Sequence, residues 1–135
     1  MPFVSITRLR VRAPEFLEPF FSDAVAVDEQ ARAAPGNLAA EVLGEPTNAY
    51  WTKTMWVDRT AMRAFMISGR HAESMPRLRG WCDEAHVAHW EQESQELPSW
   101  AEAHRRLVSD GRRSAVEHPT AVHESMDIPA PAVPS

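Results

Sequence analysis

The imidazole of His71 stands in the stretch AFMISGRHAESMPRLRGWC, residues 64 to 82, behind a break in an apolar helical pattern. Met62, Phe65 and Met66 carry the pattern up to Ser68-Gly69-Arg70. It resumes behind the histidine with Met75, Leu78 and Trp81 on one face. An imidazole titrates near neutral pH and can serve as base, hydrogen-bond donor or metal ligand. The break therefore has two readings. It is a joint between packed helices, with His71 bonded to backbone groups, or it sets His71 at the rim of an apolar cavity walled by Met75, Trp81 and a tryptophan further up the chain. Five tryptophans against one tyrosine supply large flat side chains to line a core or a pocket.

Other reactive residues offer less. His86 and His89 are three residues apart and, on a strand, fall on opposite faces, so they cannot hold one ion together. Cys82 is the only cysteine, which excludes a disulfide within the chain and a zinc site of paired cysteines; with no basic group arranged beside it, it reads as an inert buried thiol. Arg105, Arg106, Arg112 and Arg113 form a basic cluster best read as a solvated helix end. No glycine-rich phosphate loop is present. A net charge of −5 with scattered arginines argues against nucleic acid as a partner.

The elements that must position these residues follow from periodicity. Phe3, Ser5, Thr7, Leu9 and Val11 alternate with a set that is mainly charged from position 6, which predicts a strand over residues 3 to 12 with one wet face. Pro14 opens a helix to residue 33, carried by Phe16, Leu17, Phe20, Phe21, Ala24 and Val27 and ended at Pro35-Gly36. Residues 38 to 43 and 50 to 57 read as antiparallel strands around a turn rich in Pro, Thr and Asn. Trp51, Lys53, Met55 and Val57 share one face of the second of these; Tyr50, Thr52, Thr54 and Trp56 share the other. Asp58 caps the helix that breaks at Gly69 and runs to about residue 83. A strand over 85 to 90 and a helix over 99 to 110, with Ser99 and Glu102 as a capping box, complete the domain. A domain spanning 1 to 113 is thus expected, with an extension over 114 to 135 in which Val116 could add a short strand. The proline- and alanine-rich end after Met126 should be largely flexible.

The order strand-helix-strand-strand-helix-strand is the ferredoxin-like split arrangement, an α+β fold on an antiparallel sheet, with an extra helix at the end. Such a sheet is expected to leave one face bare. Trp51, Met55, Trp56 and Trp90 are large enough to make that face costly in water, so a homodimer burying it is the expected assembly. No run reaches the ~18 apolar residues of a membrane span, and the first residues lack the apolar stretch of a signal peptide. A soluble, cytoplasmic protein is expected.

The run FMISGRHAESMPRLRGW, preceded by MWVDRTAM and followed by a strand and LPSWAEAHRRL, resembles a bacterial family of the dimeric α/β-barrel superfamily. That superfamily also holds the antibiotic-biosynthesis monooxygenases and, with similar histidine, methionine and tryptophan spacing, spheroidene monooxygenase. The resemblance spans roughly residues 3 to 110, is most specific from Ser68 to Arg79 with Trp81, and falls on His71, Met75 and Trp81. Its quinone-forming members use asparagine, tryptophan and arginine or tyrosine groups, which Trp51, Trp56 and Tyr50 match by type alone. The implied activity is monooxygenase-like, on an aromatic or polycyclic molecule in an apolar cavity. His71 would act as the catalytic group there, with Trp51, Trp56, Met75, Trp81 and Trp90 as ligand-binding surface. No cofactor and no metal is expected. The alternatives are a binding or dimerisation module without chemistry, and a haem protein with His71 as axial ligand.

Overall fold

The structure is a computed structural model and describes residues 1–132. Five strands form one antiparallel sheet in the order β2-β3-β1-β4-β5: β1 is Phe3–Val11, β2 Asn37–Gly44, β3 Ala49–Trp56, β4 Cys82–Glu91 and β5 the short Arg112–Arg113. After a 3-10 turn at Pro14–Phe16, α1 runs over Leu17–Ala33; α2 is Arg59–Met66, α3 Gly69–Trp81, α4 Trp100–Asp110 and α5 Ala121–Ser125. The chain has the ferredoxin-like α+β fold that the periodicity predicts. Asp58 and Ser99 cap α2 and α4, accepting from the amides of Ala61 and Glu102.

Strand register divides the residues between two faces. On the inner face Phe3, Ser5, Thr7 and Leu9 pair across with Trp56, Thr54, Thr52 and Tyr50. Helices α1 to α3 cover this face with two separate apolar clusters. At one end Val27, Ala31, Met62 and Phe65 pack on Phe3 and Trp56; at the other Leu17, Phe20, Leu78 and Trp81 pack near Val11, Tyr50 and Cys82.

The outer face carries Val4, Ile6 and Arg8, opposite Met55, Lys53 and Trp51 on one side and Trp90, Ala88 and His86 on the other. This is the set expected to be wet, and it is instead the largest core. Ala103 and Leu107 of α4, Val122 of α5, Met126 and Ile128 pack over Val4, Ile6, Trp51 and Met55. Three expectations are corrected together. The face is not bare, because the chain's own C-terminal third covers it, so it gives no ground for a homodimer. Trp56 does not belong to it, since it points to the helices. The extension is also not loose after Met126: Ile128 is 3 % exposed, and its carbonyl accepts a 2.7 Å hydrogen bond from His104 Nε2. The short added strand lies at 112–113 rather than at Val116, and α5 is an element the sequence did not announce. The final residues of the expected flexible tail, 133 to 135, lie outside the described residues.

Candidate functional site

The break between α2 and α3 is built as a joint. Gly69 takes a positive φ of 56°, which lets α3 leave at a new angle. Gln30 of α1 bridges the joint, donating to the carbonyls of Phe65 and Ser68 at 3.3 and 2.9 Å and accepting from the amide of His71 at 2.9 Å. The His71 ring lies 4.8 Å from Phe65, which stacks on Trp56 at 5.1 Å. Its Nδ1 is 2.9 Å from the carbonyl of Met66; a carbonyl only accepts, so Nδ1 carries the proton. Burial pushes the His71 pKa down.

An apolar groove of about 430 Å³ does open at this joint, lined by Ala34, Pro35, Ala61, Ala64 and Phe65 with Gln30 and Ser68. His71, Met75 and Trp81 are not among its lining residues. Met75 is 41 % exposed, Trp81 sits in the other cluster near Phe20, and Trp51 and Trp90 lie on the opposite face of the sheet. The structure thus brings together His71, Phe65 and Trp56 but does not gather the expected residues into one pocket. Cys82 is fully buried, and burial, with Asp83 beside it, pushes its thiol to about 12, which makes it inert.

The densest chemistry lies on the outer face. Arg8 is 2 % exposed and His86 0 %, and they are cross-strand partners in the β1–β4 ladder. Arg8 Nη1 donates to Glu84 Oε1 at 2.6 Å, while Glu84 Oε2 accepts from the Thr120 hydroxyl at 2.8 Å. Burial by itself would raise the Glu84 pKa, but the bonds from Arg8 and Thr120 outweigh it and hold the carboxyl low. His86 Nε2 donates to the carbonyl of His123 at 3.1 Å, and the two rings lie 5.0 Å apart. His123 Nδ1 in turn accepts from the amide of Ala85 at 3.1 Å. Burial pushes both histidines down, so both are neutral near pH 7.

Two atoms of this cluster are buried without a hydrogen-bond partner: Arg8 Nε, a donor, and His86 Nδ1, an acceptor in this tautomer. Aromatic walls stand beside them. The Arg8 guanidinium lies 5.8 Å from the Trp51 ring, which meets Trp100 at 6.5 Å, and Lys53 Nζ sits 3.9 Å over Trp100 while donating to the carbonyl of Pro98. Sequence reasoning passed over Arg8, Glu84 and His123. The available signal was a switch from Val4 and Ile6 to Arg8, Arg10 and Arg12 on one face, and two acids, Asp83 and Glu84, opening a strand. Among the described residues no group of three or more His, Cys, Asp or Glu side chains could hold a metal ion, and no helix is long and apolar enough to cross a membrane.

Fold and sheet define the class: an α+β protein of the ferredoxin-like fold. The chain is similar to SnoaB from Streptomyces nogalater, a cofactor-independent oxygenase, at 18 % identity and a TM-score of 0.58 over 73 % of this chain and 98 % of that one. It is likewise similar to an antibiotic biosynthesis monooxygenase, at 15 % identity and 0.60 over 68 % and 99 %, and to Rv0793 from Mycobacterium tuberculosis, at 14 % and 0.63 over 70 % and 97 %. At these identities the likeness establishes the fold. The chain belongs to the DUF3291 family, a domain of unknown function whose profile matches residues 6–112. No curated protein matches it.

Proposed function

We propose that the protein is a small monooxygenase-like enzyme that oxidises an acidic aromatic molecule held against the outer face of the sheet. The observation that carries this reading is the cross-strand pair Arg8 and His86, each with a buried nitrogen that lacks a hydrogen-bond partner, with Trp51 beside the guanidinium. A phenolic or enolic hydroxyl would give its proton to His86 Nδ1, and Arg8 would hold the resulting anion, whose charge a guanidinium favours in a low-dielectric site. An anion of this kind, activated at a neighbouring methylene, can pass an electron to dioxygen. Recombination gives a hydroperoxide, and loss of water gives a ketone. The balance is CH2 + O2 → C=O + H2O, with the proton taken by His86 returned to the departing hydroxide.

His71 has a different place in this reading. Its Nδ1 proton, its amide and its ring are all engaged in holding α1, α2 and α3 together, so it serves the joint rather than the reaction. The test is oxygen uptake with 1,8-dihydroxyanthrone, read above the uncatalysed background. The wild-type protein should consume one O2 per ketone formed. His86→Gln, folded by circular dichroism, should lose ~10²-fold in rate, as for removal of an acid–base group, and His71→Ala should keep its rate while melting earlier. No uptake above background, or full activity in His86→Gln, would overturn the reading.

A further inference from the structure

The outer-face cluster is closed in the structure by α5 and the residues around it, and the way it is closed carries information about what else would fit. Residues 113–135 lie beyond the family match, and the similar structures leave more than a quarter of this chain unmatched while themselves being matched almost whole. This addition docks α5 onto three consecutive residues of β4. Thr120 gives a hydroxyl proton to Glu84, the His123 ring accepts from the amide of Ala85, and the His123 carbonyl accepts from His86. A hydroxyl, a flat ring and a carbonyl thus sit on Glu84, Ala85 and His86, and the ring lies 5.0 Å from the His86 ring, tilted by 39°.

From this geometry we infer that α5 is a displaceable cover standing in for the ligand, and that the ligand is a planar aromatic with neighbouring hydroxyl and carbonyl groups. The inference rests on the site named in the proposed function. It adds the ligand class and the control of access.

Physical chemistry favours a cover that opens. Five residues are too few to form a helix without outside support. Its N-cap is Thr120, whose hydroxyl also makes the link to Glu84, so one side chain serves both helix and docking. Met126, at the other end, holds a left-handed φ of 65°, a conformation that costs a non-glycine residue energy. At β4 the cover hides charged and polar groups, so opening returns Arg8, Glu84 and His86 to water and recovers solvation that closure removes, which offsets the apolar contact that Val122 and Met126 give up. A cover closed nine-tenths of the time weakens ligand binding about tenfold, because only the open fraction binds.

The experiment is hydrogen exchange on the full chain with and without saturating 1-hydroxy-2-naphthoate, which carries the hydroxyl and the carbonyl on one flat ring system. Binding should speed exchange of the amides of residues 121–126 by about tenfold or more while slowing that of β1 and β4, the reverse of ordinary ligand protection. Thr120→Ala, which removes the helix cap and the link to Glu84 while leaving Arg8, Glu84 and His86 themselves in place, should tighten naphthoate binding about fivefold to tenfold. Slower exchange in 121–126, an affinity unchanged by Thr120→Ala, or no binding at all would each overturn the inference. The two readings separate cleanly. Anthrone oxidation with no change in the cover defeats the inference alone, and naphthoate binding with release of the cover but no oxygen uptake defeats the enzyme alone.

Discussion

Histidine protonation sets how this fold answers to acid. His89, on the inner face beside Phe3 at 5.7 Å, is half-buried with its Nε2 enclosed and unpartnered, and loss of solvent around it, together with repulsion from Arg112 and Arg59, pushes its pKa from 6.5 to about 4. The folded chain therefore keeps this ring neutral where the unfolded chain would take up a proton. The stability it contributes is complete above the unfolded value of 6.5 and is lost as pH falls toward about 4. His71, His86 and His123 are lowered as well and act in the same sense. Glu84, held below its ordinary 4.5, adds a loss at still lower pH as it is protonated. Melting temperature should drop steadily from pH 6.5 to 4, and His89→Asn should flatten that slope; an equal slope in the variant would show that burial of His89 is not its source.

Elements meet most tightly where the turn into β2 passes α2. Gly36 has a φ of 86°, and a Cβ built there would stand 2.6 Å from Ala61 Cβ and 3.0 Å from Val57. Gly36→Ala should therefore cost more than the ~1–2 kcal/mol of the left-handed conformation alone, visible as a lower denaturant midpoint, whereas an unchanged midpoint would mean that α2 can slide away. Pro35-Gly36 was legible as a stop, and β1 to β4, α1 and α4 were legible because their apolar periods are local. Arg8 was not. Period-two alternation correctly put Arg8 and Arg10 on one face, but the groups that make that face tolerable are Glu84 and Asp83, 76 and 73 positions away, which pair with them at 2.6 and 2.7 Å. The same two acids hid the start of β4, since charge next to Trp81-Cys82 reads as the end of a helix. Five residues of α5 carry too few repeats to show any period. His71 was found as a residue of note, yet spacing alone did not reveal that Gln30 and Met66 occupy its polar groups.

For the molecule as a whole, one sheet holds two cores of different origin. Most of the inner clusters falls within the matched residues 6–112, while the outer core is completed by the addition, and Ile128 shows how far the addition reaches. Its side chain packs with Val4, Ile6, Trp51 and Met55 of the sheet and Leu107 of α4. Ile128→Ala should destabilise by roughly 2–4 kcal/mol, in the range for truncating a buried aliphatic side chain, with an effect near zero by urea titration expected only if the end of the chain does not pack in solution. Anchored at Ile128 and, ahead of α5, by the amides of Ser114, Glu117 and Thr120, which donate to the carbonyls of Ala85 in β4, Arg79 in α3 and Asp83 in β4, the addition is tethered at both sides of α5, so α5 can lift without the rest of the chain dissociating.

The inertness of Cys82 has a practical side. A fully buried thiol with a pKa near 12 will not react with maleimides or iodoacetamides at neutral pH, so the natural chain offers labelling reagents no target. One cysteine placed at exposed Ser125, on α5, would then take a fluorophore stoichiometrically without removal of any native residue, and the movement of that single dye relative to the fixed tryptophans of the sheet would time each opening of the molecule directly.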